Sequence, residues 1–312
     1  MDQNIDALLG FAPDHDAPIP YMQRTRDYYR AIGYATPYRW AHHVDVPFTT
    51  LTKPLRDSRV ALITTAAPYQ LGKGDQGPGA AYNGSAKFYA VYSGDVSGTH
   101  DLRISHIGYD RVHTAATDSC TWFPLPALLR AAAAGRIGTL AQHFHGAPTN
   151  RSHRVTIETD APEILRRCRE DGADAAILVP NCPVCHQTCS LVARHLEANG
   201  IPTVVMGCAK DIVEHAGVAR FLFSDFPLGN SAGKPHDADS QAQTLELALR
   251  LLESAVGSRT TIQSPLRWAT SADWKLDYLN LDLIPSDELQ RRRAEFDRQK
   301  ELARPNRVER AA

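Results

Sequence analysis

Short unbroken apolar runs alternate along this chain with stretches whose apolar residues recur at helical spacing. Arg59 to Thr65 (RVALITT), Ala173 to Pro180 (ADAAILVP), Pro202 to Gly207 (PTVVMG) and Arg220 to Ser224 (RFLFS) read as strands buried on both faces. Between them fall a helix over Ala161 to Asp171, a helix with apolar residues from Ser190 to Leu196, a short helix, and a long helix striped by Leu245, Ala248, Leu249 and Leu252. This alternation predicts an α/β fold, a mainly parallel sheet flanked by helices and joined by right-handed crossovers. Asp101 to His106 (DLRISH) is a further expected strand, and Ile137 to Phe144 fits helix or strand equally well. Pro126 to Ala134 predicts a helix stopped by Gly135, since glycine best tolerates a left-handed cap.

The pattern divides the chain into an N-terminal arm (1–58), an α/β core (59–264) and a C-terminal extension (265–312). The arm is rich in Tyr, Arg and Pro, with one expected helix from Tyr21 to Ile32. In the extension, Trp268, Trp274 and Tyr278 are expected to anchor a covering segment, on the body or on a neighbouring subunit. A final helix from Ser286 to Arg304 places Asp287 and Glu288 in its first turn, where they complement the dipole. Its mixed charges predict a solvated face. Ala66 to Asn83 collects Gly and Pro too densely for an element. It reads as a loop at the carboxyl end of the first strand, the side on which open α/β sheets bind ligands. Its glycines lack P-loop or dinucleotide spacing.

The candidate chemistry lies in Asn181-Cys182-Pro183-Val184-Cys185-His186, where a strand empties into a helix. With Cys182 at the N-cap, Pro183 occupies the first helical position and Cys185 falls beside Cys182. The positive end of the helix dipole favours a thiolate, so Cys182 is the expected activated sulfur and Cys185 the thiol that resolves an adduct as a disulfide. A structural or metal-binding CxxC is the competing reading. Cys208 ends the next strand at the same sheet edge and is a candidate third thiol or ligand, or a buried spectator. Cys168 reads as core. His42, His43 and Asp45, and the pair His143 and His145, have ligand-type side chains but read first as ordinary hydrogen-bonding groups.

Composition narrows the class. With 312 residues, 43% of them hydrophobic, the chain can bury a full core. Thirty-four basic residues against thirty-five acidic ones give a net charge of −1, which argues against a nucleic-acid partner. No run approaches the length of a membrane span, and MDQNIDALLG has neither a basic start nor a sustained apolar stretch, so a cytoplasmic protein is expected. Six cysteines are too few for a disulfide scaffold at this length.

Three segments taken together carry a resemblance: SHIGYDRVHTAATDSCTWFPLPALLRAAAAGRIGTLA, then VPNCPVCHQTCSLVARHLEANGIPTVVMGC, then FPLGN. In this order, over roughly residues 100 to 255, they resemble the selenoprotein B component of glycine, sarcosine and betaine reductases and its D-proline reductase relative. In that family a selenocysteine attacks the carbon bearing the amino group, cleaves the C–N bond and is released by a cysteine three positions on. The resemblance implies that Cys182 stands in the place of the selenocysteine and Cys185 in that of the resolving cysteine. It makes His106, Asp118 and Asn230 candidate site-lining residues, beside Asn181, His186 and Cys208 around the cluster. Asp118 reads equally as an acid, a group orienting an ammonium, or a loop-capping carboxylate. Sulfur here replaces selenium, and the pyruvoyl-bearing partner of the amino-acid reductases has no counterpart in this chain.

The resulting expectation is a thiol-dependent reductase that cleaves a C–N or related carbon–heteroatom bond of a small molecule. It would need no tightly bound cofactor, and a thioredoxin-like protein or low-molecular-weight thiol would reopen the disulfide. A homo-oligomer or a partner subunit is the candidate assembly. Two alternatives stand beside it. One is a zinc or similar site made by Cys182 and Cys185 with Cys208, Cys189 or a histidine; the other is a racemase-like acid–base pair of Cys182 and Cys208 on opposite faces of a substrate.

Overall fold

A computed structural model describes residues 16–34, 36–104 and 106–311, with side chains as far as Asn306. The first fifteen residues of the expected arm, and Ser105 of the expected strand 101–106, lie outside the described residues.

The chain enters through α1 (Tyr21–Ala31) and reaches the sheet at β1 (Arg59–Thr64). There follow β2 (Ala67–Pro68), β3 (Tyr92–Asp95), β4 (Leu102–Arg103), α2 (Leu125–Ala133), β5 (Thr139–Leu140) and β6 (His143–Gly146). The regular half runs α3 (Ala161–Glu170), β7 (Ala175–Val179), α4 (Pro183–Ala198), β8 (Thr203–Gly207), α5 (Lys210–Ala216), β9 (Arg220–Phe223), α6 (Ala238–Ser254) and β10 (Thr260–Gln263); α7 (Ser286–Ala311) closes the chain. The main sheet has the order β10-β9-β8-β7-β1-β6-β3, with β5 paired to the start of β1. All its pairings are parallel except that of β3 with β6.

Both faces of the sheet are covered, which is why its central strands read as unbroken apolar runs. Successive residues of β1 serve opposite faces. Val60 and Leu62 join Leu125, Leu128, Leu245 and Leu249 of α2 and α6, whereas Ala61 and Ile63 join Ile164, Val192, Leu196 and Val213 of α3, α4 and α5. The Gly135 stop of α2 holds, with φ 69°. The ambiguous stretch 137–144 resolves as strand, because β5 and β6 both pair with β1.

Three details differ from the sequence pattern. Among the described residues of the expected strand 101–106, only Leu102–Arg103 is strand, and it pairs antiparallel with Ala67–Pro68 outside the main sheet. The edge of the sheet on that side is instead β3, whose polar sequence YSGD shows no apolar alternation because it is buried only in part. Gly94 is needed there, since a Cβ would lie 2.5 Å from the Phe144 ring of β6. On the far edge β10 adds a strand after the long helix, through the half-buried residues TTI.

The terminal segments pack over the carboxyl ends of the strands. Ile19 and Tyr21 bury with Cys208, Phe226, Trp274 and Tyr278, whereas Tyr28, Tyr29 and Ile32 bury with Cys182, Val184, Cys185 and Phe296 of α7.

Candidate active site

From β1 the chain moves to β6 on one side and later to β7 on the other, so the crevice at the carboxyl ends of β1 and β7 is the switch point of a doubly wound sheet. The two ends are tied together: the Thr65 N–H donates to the Val179 carbonyl at 3.3 Å, and the Asn181 N–H to Thr65 Oγ1 at 3.1 Å. One residue later Cys182, extended at φ −127° and ψ 172°, is the N-cap of α4, with Pro183 at the first helical position. Its Sγ accepts the Cys185 N–H at 3.2 Å, so the sulfur performs the capping that an oxygen usually supplies.

His106 arrives on the loop after β4. That loop passes so close to the start of α4 that a Cβ on Gly108 would lie 2.6 Å from Cδ of Pro183. One imidazole nitrogen of His106 and the sulfurs of Cys182 and Cys185 all lie within 4.8 Å of one another. Thr149 Oγ1 lies 3.3 Å from Cys185 Sγ. Cys182, 4% exposed, borders a small pocket of about 20 Å³, together with Tyr29, Tyr82, Lys87, His106 and Arg151, whereas Cys185 is fully buried; the pocket has room for about one water. The Arg151 guanidinium lies against two aromatic rings, 4.9 Å from the centre of Tyr29 and 4.8 Å from that of Tyr34. Its backbone has φ +56°, rare for a non-glycine residue.

Burial opposes charge on both thiols, but their surroundings separate them. Burial and the bond to the neighbouring sulfur push the Cys182 thiol well above its ordinary value. Burial also raises Cys185, but hydrogen bonding from Cys182, the His106 imidazole and the Thr149 hydroxyl outweigh it and hold Cys185 well below that value. The surroundings therefore push the two thiols in opposite directions, Cys182 up and Cys185 down. The helix terminus taken alone favours charge on Cys182, whereas the side-chain donors gather around the deeper Cys185.

His186 takes a structural place. Its Nδ1–H donates to the Cys182 carbonyl at 2.7 Å, and Nε2 accepts the N–H groups of Cys208 at 2.9 Å and Ala209 at 3.2 Å. Burial pulls its pKa down to about 4, so the ring is neutral. It can sit over the end of β8 only because residue 207 is glycine, where a Cβ would meet the ring at 2.7 Å. Cys208 consequently lies behind His186. Its Sγ is 3.8 Å from Ser231 Oγ, burial pushes its pKa up to about 12, and it does not border the pocket of Cys182. The third member of the cluster is His106.

Asp118 is a loop-capping carboxylate. It accepts the N–H groups of Cys120 at 2.9 Å and His236 at 2.7 Å and the Gln241 amide at 2.8 Å, bonds that outweigh the raising effect of burial and lower its pKa. Asn230 donates Nδ2 to the Pro227 carbonyl at 3.0 Å, and its neighbour Ser231 fixes the Pro180 carbonyl at 2.7 Å. Asn181 is fully buried, and neither atom of its amide has a hydrogen-bond partner among the described residues. His143 bonds to Asp171 at 2.9 Å and His145 to Ser93 at 2.8 Å, both ordinary contacts.

The chain is 31% identical over 198 residues to the D-proline reductase subunit gamma of Acetoanaerobium sticklandii, covering 62% of this chain and 78% of that one. The chain belongs to the glycine and D-proline reductase selenoprotein B family. Within this family it is also similar to glycine reductase complex component B subunits gamma. Identity is 27% to that of Carboxydothermus hydrogenoformans, over 69% of this chain and 50% of the relative, and 24% to that of Symbiobacterium thermophilum, over 74% and 54%. The chain thus spans about half the length of these two glycine reductase relatives. No family model and no solved structure matches it. Among the described residues no helix is long and apolar enough to cross a membrane.

In this member of the family, the residues around the cysteines that the sequence did not single out are Tyr29, Lys87, Thr149 and Arg151. They come from the arm, a loop and the chain after β6, so no local spacing connects them to the CxxC. The left-handed Arg151 in the polar run PTNRS carries no distinctive sequence signal.

Proposed function

We propose that this protein is a thiol-dependent reductase that cleaves a C–N or related carbon–heteroatom bond of a small molecule. The observation that carries this reading is Cys182 at the N-cap of α4, bordering a small pocket, with Cys185 one turn deeper among side-chain donors that favour its thiolate. Membership of a family whose relatives are named as reductase subunits supports the class of chemistry. As the substrate enters, the Cys182 proton passes to Cys185 and the Cys182 sulfur forms a bond to carbon. The leaving group departs with its bonding pair, as neutral ammonia when the substrate is an ammonium. Cys185 then bonds to the Cys182 sulfur, the S–C bond breaks, and its electron pair and the Cys185 proton become the C–H bond of the product. Carbon gains two electrons and the dithiol loses two; a thioredoxin-like protein or low-molecular-weight thiol restores it.

Arg151 and Lys87 border the pocket, a wall suited to an anionic group on the substrate. His106 and Thr149 support charge on Cys185, and His186, bonded to the Cys182 carbonyl, with Thr65, which accepts the Asn181 N–H, holds the turn that carries Cys182. The names of the relatives as subunits support a partner subunit, and the protein is expected to act in the cytoplasm. Anaerobic thiol titration before and after mild oxidation tests the core of the reading. Loss of two thiols per chain in the parent protein, absent in Cys182→Ser and Cys185→Ser, is the expected result. Retention of every thiol would overturn it.

A further inference from the structure

We propose that His106, Cys182 and Cys185 also form a binding site for a soft divalent cation of the zinc and cadmium kind, filled only while the two cysteines are reduced. The three donor atoms lie within 4.8 Å of one another. Zinc bonds of about 2.3 Å to sulfur and about 2.0 Å to nitrogen place tetrahedral ligand atoms roughly 3.5 to 3.8 Å apart, so side-chain shifts of about an ångström close the set. Two sulfurs and an imidazole are the donors such cations select over oxygen sites.

Two features besides proximity favour the site. The Cys185 N–H fixes the Cys182 sulfur at 3.2 Å, and hydrogen bonding from backbone to sulfur orients a metal ligand in advance. His106 is only 7% exposed, and its Nδ1 has no hydrogen-bond partner among the described residues. A buried imidazole with an unused nitrogen beside two thiols has donor capacity that a cation would satisfy, whichever nitrogen turns to it. Three protein ligands leave the fourth tetrahedral position to the pocket, as in zinc sites that accept an exogenous ligand. Two thiolates balance the charge of the dication, and Arg151 and Lys87 on the pocket wall favour an anion or a thiolate as the fourth ligand. The cation would hold both sulfurs at once, so the loaded protein can neither attack a substrate nor close the disulfide.

Titration of the reduced full-length chain with Cd²⁺ under anaerobic conditions tests the site, read by the sulfur-to-cadmium charge-transfer absorption. One equivalent is expected, with the band reduced by about half or more in Cys182→Ser and Cys185→Ser and unchanged in Cys208→Ser. Affinity for Zn²⁺, measured by competition with a chelating dye, is expected to fall about 10- to 100-fold in His106→Ala. Prior oxidation of the parent protein should abolish binding, a control that does not depend on any variant folding. A band that survives in both cysteine variants, or one equivalent bound by the oxidised protein, would overturn the site. So would the absence of a band in the reduced parent protein, even if that protein still loses two thiols on oxidation; that combination removes the cation site and leaves the reductase reading standing.

Discussion

The Cys185 amide donates to the Cys182 sulfur at 3.2 Å, while the Cys185 side chain lies among the Cys182 thiol, His106 and Thr149. Within one helix turn the surroundings therefore disfavour charge on Cys182 and favour it on Cys185.

This arrangement predicts an ultraviolet thiolate band that persists on acidification from the ordinary thiol range near pH 8.5. The sign follows from the lowered Cys185 value: the thiolate is present above that value and disappears as pH falls through it. Cys185→Ser should lose the persistent band. Cys182→Ala should move its midpoint upward, because the side-chain donor at 182 is gone. An unshifted midpoint in Cys182→Ala would disprove the hydrogen bond between the two thiols.

Two buried neutral histidines should make the fold acid-sensitive. Burial lowers His186 from 6.5 to about 4, and His145 likewise. Between these values the unfolded chain binds more protons than the folded one, so stability is intact above pH 6.5 and falls toward pH 4. His186 alone accounts for about 3 kcal/mol of that loss. Urea unfolding at pH 7 and pH 4.5 measures it, and His186→Leu should flatten the dependence. The same variant should cost about 2–4 kcal/mol at pH 7, because the Cys182 carbonyl and the Cys208 and Ala209 amides lose their partner. Equal stability at the two pH values in the parent protein would contradict this account.

Glu197 and Arg220 form an ion pair of 2.9 Å with both side chains fully or almost fully buried, and the pair also fastens the arm. Glu197 accepts the Thr49 N–H at 2.6 Å, and Arg220 donates to the Thr49 carbonyl at 2.7 Å. Arg220→Met or Glu197→Gln alone should destabilise by roughly 3–5 kcal/mol, because each leaves a buried charge without its partner. The double variant should be less destabilised than the sum. Strict additivity in chemical denaturation would show that the two charges do not act as a pair.

Arg151 should give Cys182 a preference for anionic reagents. Relative rates of alkylation by iodoacetate and iodoacetamide, monitored by mass spectrometry of the Cys182 peptide, report it directly. Arg151→Gln is expected to lower the iodoacetate-to-iodoacetamide ratio by about 3- to 10-fold, as loss of one partly screened charge would. An unchanged ratio would place the anion-recognising charge elsewhere.

The central strands, the helices between them and the position of the CxxC at a strand end were legible in local pattern. Each depends on interactions a few residues apart or on burial of a whole run, as in RVALITT and AAILV. The edge strand YSGD and the short strand TTIQ were not, because half-buried edges carry little hydrophobic signal. Around the cysteines, the sequence determined the two thiols one turn apart, the proline that starts their helix and the family to which the chain belongs. Tertiary structure decided that His106 completes the cluster, that Cys208 is held behind His186, that Arg151 borders the pocket of Cys182, and which sulfur the side-chain donors surround. These relations join segments far apart in the chain, and the depth of a side chain among its donors exists only after the chain has folded.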